Sequence, residues 1–124
     1  MECENFLLVL NNLEEALALP IVNQRDVAGI IKNFEFVYEL AWRLLKAELS
    51  AEGIVAGSPK DVFAKSYQTG FIDNEEVWLA IIGDRNLTLH TYNEELAKKI
   101  VANIRNIYMK DFLALRPLAT KPAA

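Results

Sequence analysis

Apolar residues recur at steps of three and four along almost the whole chain, the period of an α-helix and not of a strand. Phe6, Leu10, Leu13 and Leu17 make one stripe, which predicts a first helix from about Cys3 to Leu19, closed at Pro20. The longest stripe comes next. Val27, Ile31, Phe34, Tyr38, Ala41, Leu45 and Glu48 alternate steps of four and three, predicting a helix from about Gln24 to Ala51 with a seam for lengthwise packing. That seam is apolar until its last member. Ile30, Phe36, Val37, Leu40, Leu44 and Ala47 form a second apolar set on the same helix. A helix apolar on two sides needs two partners: its own core and, by expectation, a second subunit.

Gly53 breaks the pattern, and Ser58-Pro59-Lys60-Asp61 restarts it with a hydroxyl cap, a proline in the first turn and an early carboxylate. The short third helix carries Val62, Phe63, Ser66 and Tyr67 and stops at Gly70, with Phe71 and Ile72 placed over its last turn. Asp73-Asn74-Glu75-Glu76 opens a fourth helix bearing Val77, Trp78, Ile81 and Ile82. A fifth starts near Thr91 or Asn93, where Thr91 and Glu94 have capping-box spacing. It continues through Leu96, Ile100, Ile104, Ile107 and Leu115 to Pro117. Trp42 and Trp78 fall at core-like positions and are expected to pack, or to anchor an interface. The expected fold is all-α: an up-and-down antiparallel bundle of four main helices and one short one, dimerising. It occupies one domain over residues 1–116, with a tail over 117–124.

Composition narrows the class without fixing it. A chain of 124 residues suits a single domain, and 52% hydrophobic with 24% charged residues is ordinary for a compact protein. The single Cys3 excludes an internal disulfide and fits a reducing cytoplasm. Met1-Glu2-Cys3-Glu4 is acidic where a secretion signal is basic, and no apolar run reaches membrane-spanning length. The expected location is therefore cytoplasmic, away from membranes. A net charge of -4 is unusual for a protein that grips nucleic acid. An RNA site here has to be a local positive cleft on an acidic body.

The chemistry concentrates in one place. The only histidine lies in Arg85-Asn86-Leu87-Thr88-Leu89-His90-Thr91-Tyr92. A guanidinium holds a phosphate in a two-pronged grip, and an imidazole exchanges a proton near neutral pH. On an unbroken helix Arg85 and His90 stand about 140° out of register, whereas Asn86 and His90 share a face. Two arrangements remove the difficulty. The helix ends near Leu89 and the backbone reorients His90, or Arg85 of one subunit serves His90 of another across a two-fold axis. The spare face of the long helix favours the second, and Gly83 permits the close approach it demands.

Other candidates are weaker. Glu35 and Glu39, four apart, resemble a carboxylate metal pair, but such sites usually add histidine from other helices and this chain has none to spare, so they read as polar-face residues or interface partners. Asp73 to Glu76 is a helix cap before it is a metal site. Lys98, Lys99, Arg105 and Lys110 form a modest basic set, most simply a solvated face and at most an extension of an RNA path. Ser66 and Thr88 have no neighbouring base. No metal or cofactor is expected.

Arg-x4-His-x-Tyr, as Arg85, His90 and Tyr92, resembles the signature of HEPN domains. More narrowly, the chain is similar to bacterial nucleotidyltransferase substrate-binding proteins. The similarity runs through Arg25-Asp26, Phe34-Glu35-Phe36-Val37-Tyr38-Glu39-Leu40-Ala41-Trp42, Ser58-Pro59, Trp78, Asp84 to Thr88, His90 to Tyr92 and Glu94 to Ala97. It covers about two thirds of the chain in unbroken order. The resemblance implies a dimerising helical bundle that partners a minimal nucleotidyltransferase, in many cases as a toxin–antitoxin pair. The HEPN partner is then a metal-independent endoribonuclease, with Tyr92 as the position that accepts AMP.

Two functions follow as expectations. In the first, His90 assists attack of a ribose 2′-hydroxyl on the adjacent phosphate, Arg85 stabilises the developing charge, Asn86 orients the imidazole or binds phosphate, and Tyr92 lines the cleft. In the second, the same groups hold a nucleotide or dock the nucleotidyltransferase without cutting.

Overall fold

The computed structural model describes residues 2–121. They form helices α1 (Glu2–Ala18), α2 (Gln24–Ala51), α3 (Pro59–Thr69), α4 (Glu75–Leu87), α5 (Glu94–Asn103), α6 (Met109–Leu113) and α7 (Arg116–Thr120). A 3-10 turn, Thr88–His90, comes after α4, and a π-helical stretch, Ile104–Tyr108, joins α5 to α6. The described residues contain no strand. Since α5, the π stretch and α6 run on as one long helix, the expected four long helices and one short one are all present. No helix among the described residues is long and apolar enough to cross a membrane.

The organising element is α2, against which α1, α3, α4 and α5 all pack. Every member of its predicted seam, from Val27 to Glu48, is buried. The polar last member is resolved locally, because Glu48 pairs with Lys121. The helix starts on Asn23, whose side chain accepts the N–H groups of Arg25 and Asp26, with Asp26 answering as a capping box. Ser58 caps α3 as its sequence predicts, accepting the Asp61 N–H at 3.2 Å. Gly70 ends α3 at φ 85°, a left-handed conformation that favours glycine, and the Phe71 and Ile72 N–H groups turn back onto the Ser66 carbonyl.

Three expectations change. The last long helix holds an extra residue in its π stretch, which rotates the side chains beyond it. Tyr108 therefore faces inward, and Ile107, expected in the core stripe, is 46% exposed. The helix stops before Pro117: α6 ends at Leu113, and α7 folds back against α1 with Ala119 buried. The two tryptophans part company. Trp78 is core, while Trp42 is half-buried on the outer side of α2.

Aromatic rings connect the elements in series. Phe63 and Trp78 lie 4.8 Å apart, Trp78 and Phe112 5.6 Å, Phe112 and Phe34 6.1 Å, and Phe34 and Tyr108 6.0 Å. The series runs from α3 through α4, α6 and α2 to the π stretch beside the motif.

One surface feature predicts a pH effect. Asp111 shares a pocket of about 170 Å³ with Asp73, beside Trp78. Burial, then the Asp73 charge, raises the Asp111 carboxyl above its ordinary range. A carboxyl raised on folding favours the folded state while protonated, and that contribution is lost as pH rises through its folded pKa. Asp111→Asn is therefore expected to raise Tm by about 1–3 °C at pH 7 and to gain nothing at acid pH. Thermal denaturation at both pH values checks this; a lower Tm at pH 7 refutes it.

Candidate functional site

The motif sits where α4 gives way to α5. Helix α4 delivers Arg85 and ends at Leu87, and the chain tightens into the 3-10 turn that carries His90. The Thr88 hydroxyl lies 2.7 Å from the Arg85 carbonyl and 3.1 Å from Glu35 Oε2. It has one proton to donate, and either acceptor ties the turn in place. The Thr91 hydroxyl donates to the Thr88 carbonyl at 3.0 Å and so closes the turn on itself. Thr91 does not cap α5. Asn93 does, accepting the Leu96 N–H at 3.1 Å, because only the residue directly before Glu94 can reach the free amides of that first turn. The α-helix thus ends inside the motif, between Arg85 and His90.

Arg85 is half-buried. Its guanidinium carbon stands 5.9 Å from the centroid of the Tyr38 ring, and Nη1 is 3.9 Å from Glu35 Oε2. At that distance the pairing with Glu35 is an ion pair rather than a hydrogen bond. Nε is buried without a hydrogen-bond partner. The cation keeps donors to spare and has a flat aromatic support. Burial, followed by the charge of Glu39, raises the Tyr38 hydroxyl, with Arg85 opposing, so Tyr38 stays a neutral phenol beside the cation.

The residue before Arg85 belongs to a polar cluster. Asp84 Oδ2 accepts the Tyr108 hydroxyl at 2.5 Å and Asn103 Nδ2 at 2.9 Å. The Tyr108 hydroxyl is also 3.3 Å from the Ala80 carbonyl. Burial, then the hydrogen bond with Asp84, holds the Tyr108 hydroxyl far above the ordinary phenol range. The cluster fastens α4 to the π stretch, which fixes the helix that presents Arg85. Sequence reasoning missed it, because the π insertion moves Tyr108 off the periodic stripe.

His90 is exposed, with Nδ1 3.5 Å from the Tyr92 hydroxyl and the two rings edge-to-face at 6.0 Å between centroids. Tyr92 is 83% exposed, and Asn86 is exposed on α4. Among the described residues Arg85 and His90 share no hydrogen bond or ion pair. Within one chain His90 meets Tyr92, and Arg85 meets Glu35 and Tyr38. A side chain at Gly83 would meet nothing within 4 Å, so no neighbour within the chain explains that glycine.

The remaining candidates resolve. Glu35 and Glu39 serve different partners, since Glu39 accepts Trp42 Nε1 at 3.3 Å and pairs with Arg43 at 3.6 Å. Glu35 turns out to belong to the motif, a role that its spacing from Glu39 concealed. Arg105 is structural, donating to the Leu17 carbonyl at 3.1 Å and holding the end of α1. Lys98 and Lys99 are exposed.

Taken together, a half-committed guanidinium, an exposed imidazole and an exposed phenol gather at one helix junction. Residues 1–118 match the family described as nucleotidyltransferase substrate binding protein like. The chain is 33% identical over 103 residues to the probable ribonuclease HepT of Haemophilus influenzae, covering 79% of this chain and 70% of that protein. Two solved structures share the fold. A Thermus thermophilus protein superposes with a TM-score of 0.85 at 28% identity, over 94% of this chain and 99% of its own. A Haemophilus influenzae protein, described as having the fold of a substrate-binding domain of a nucleotidyltransferase, superposes with a TM-score of 0.86 at 27% identity, over 96% and 99%. The chain belongs to the nucleotidyltransferase substrate-binding protein family, a group of HEPN-type helical bundles.

Proposed function

We propose that this protein is the HEPN toxin subunit of a two-component system with a minimal nucleotidyltransferase, and that it cleaves RNA without a metal. One observation carries the reading: the helix break frees His90 to stand exposed beside Tyr92, while Arg85 stays on the rigid end of α4 with unspent donors. The description of a relative as a probable ribonuclease supports it. In the reaction a ribose 2′-oxygen bonds to the adjacent phosphorus and the bond from phosphorus to the 5′-oxygen breaks. The 2′-proton passes to a base, the leaving oxygen takes one up, and the product ends in a 2′,3′-cyclic phosphate. His90 serves as general acid or base and Arg85 balances charge on the phosphorane. Asn86 binds phosphate or orients the imidazole.

The working unit in this proposal is a homodimer in which Arg85 of one protomer and His90 of the other meet at one phosphodiester. Leu87, Leu89 and Tyr92 are exposed around the motif, and Gly83 leaves room there, which suits a covering copy. Incubated with mixed RNA in EDTA, the wild type is expected to leave cyclic-phosphate ends, and the same sequences as DNA are expected to survive. Inert RNA, or equal cutting by His90→Ala, removes the proposal.

A second reading has its own support. Glu35 already faces Arg85, which suits a phosphate holder that does not cut, and a relative is described as substrate-binding. The protein is then a non-catalytic subunit that binds a nucleotide or docks the nucleotidyltransferase. Under either reading Tyr92 is the AMP acceptor, since its exposed hydroxyl is open to a transferase. A bulky anion there, two residues from His90, blocks the cleft by size and by charge. Intact mass after mixing with the partner and ATP is expected to rise by one AMP, and Tyr92→Phe to remove the gain. A gain that survives that substitution places the modification elsewhere.

A further inference from the structure

Helix α2 has an outward arc that starts at Glu35, the partner of Arg85, and runs on past the motif. At about 100° per residue, Glu35, Glu39, Trp42 and Lys46 fall within about 60° of one another around the helix. Trp42 lies about 10 Å and Lys46 about 16 Å along the axis from Glu35, the residue against which Arg85 rests. The arc is therefore continuous with the motif.

Trp42 has a built setting. Its ring packs partly on the core, and its Nε1 donates to Glu39, which fixes the plane of the indole. Arg43 stands 6.0 Å and Lys46 5.8 Å from the ring centroid. These residues, with Ala47 and Ser50, line a shallow, wide-open groove formed by α2 alone. The chain spends its other tryptophan on the core, so an indole kept at the surface between two cations is a separate feature.

We propose that this groove is a subsite for single-stranded RNA, in which a base stacks on Trp42 and its phosphates lie on Arg43 and Lys46. The proposal rests on RNA as the substrate of the motif. Charge selects the occupant: Glu39 pairs with Arg43 at 3.6 Å, which leaves the two cations one charge in excess, and on a chain of net charge -4 such a local positive spot suits a polyanion. The indole adds a demand for a flat ring, and nucleotides combine both properties. A base arriving on the indole displaces a cation from the ring face and leaves it free for the phosphate. The groove lies along the same helix as the partner of Arg85, so one strand can span both.

The test uses the full chain and a labelled single-stranded RNA, 2′-O-methylated throughout so that it binds without being cut. Affinity is read by fluorescence anisotropy across a range of salt. Arg43→Gln with Lys46→Gln, both exposed, is expected to weaken binding about tenfold and to flatten the salt dependence by about 0.7 for each phosphate no longer neutralised. Lys98→Gln with Lys99→Gln removes the same charge from α5 and is expected to change neither. Trp42→Ala is expected to weaken binding about tenfold and Trp42→Phe much less, with a thermal melt confirming the fold. His90→Ala should stop cutting of ordinary RNA and leave these binding effects intact, which separates the chemistry from the subsite. If wild type binds RNA and the Arg43/Lys46 variant binds equally well, or the Lys98/Lys99 variant weakens as much, the subsite falls and the RNA reading survives. No binding by wild type at any salt overturns both. Unchanged RNA affinity with an altered molar mass, alone or with the nucleotidyltransferase, overturns the subsite and makes the face a protein interface.

Discussion

Replacing His90 by alanine is expected to lower RNA cleavage by a factor of about 10²–10⁴, the range that a positioned proton-transfer group supplies. The side chain is exposed, lies outside the core cluster and approaches the Tyr92 hydroxyl, so the substitution removes no core packing and Tm should not move. The loss should appear in kcat, with KM nearly constant, because in the proposed reaction the imidazole works on a proton in flight while other groups hold the strand. Single-turnover rates on a defined oligonucleotide in EDTA, beside a thermal melt of each protein, measure both quantities. A rise in KM with kcat preserved assigns His90 to binding and favours the non-cutting reading.

Trp78→Ala is expected to be the most damaging single change to the fold. Trp78 is 1% exposed and contacts Phe63 on one side and Phe112 on the other, so it joins α3, α4 and α6. Truncating a buried aromatic costs about 3–5 kcal/mol, which corresponds to a fall of about 10–20 °C in Tm for a domain of this size. The ring series continues through Phe34 to Tyr108, and Tyr108 holds Asp84 next to Arg85. The motif should therefore loosen along with the core. Differential scanning calorimetry gives the stability. Hydrogen exchange at residues 84–90 reports the coupling, and protection there equal to wild type in a folded Trp78→Ala protein rules the coupling out.

The bundle was legible because its determinants are local and periodic. The α2 seam, the Ser58 cap and the Gly70 stop each depend on neighbours within a few residues, and each stands as its pattern predicts. The candidate site was legible only as a set of residue types. Arg85, Asn86, His90 and Tyr92 could be chosen from their chemistry, but their partners lie far away in sequence. Glu35 reaches Thr88 from 53 residues upstream, and Asp84 meets Tyr108 only because a π turn rotates that side chain inward. No periodic pattern announces such an insertion. Trp42 illustrates the same limit: its spacing suits a core, and only the packing around α2 shows which way its ring faces. Thr91 yields the cap of α5 for a smaller reason, since Asn93 has equal capping chemistry and stands nearer the first helical amide.

Glu35 also gives Arg85 an internal counterweight. A lone chloride or free phosphate gains little by approaching an arginine that already leans on a carboxylate. A polymer touching several points at once can dislodge that carboxylate, because its remaining contacts keep it in place during the exchange. If the motif takes RNA as proposed, this exchange would favour a long anion over the abundant small ones of solution.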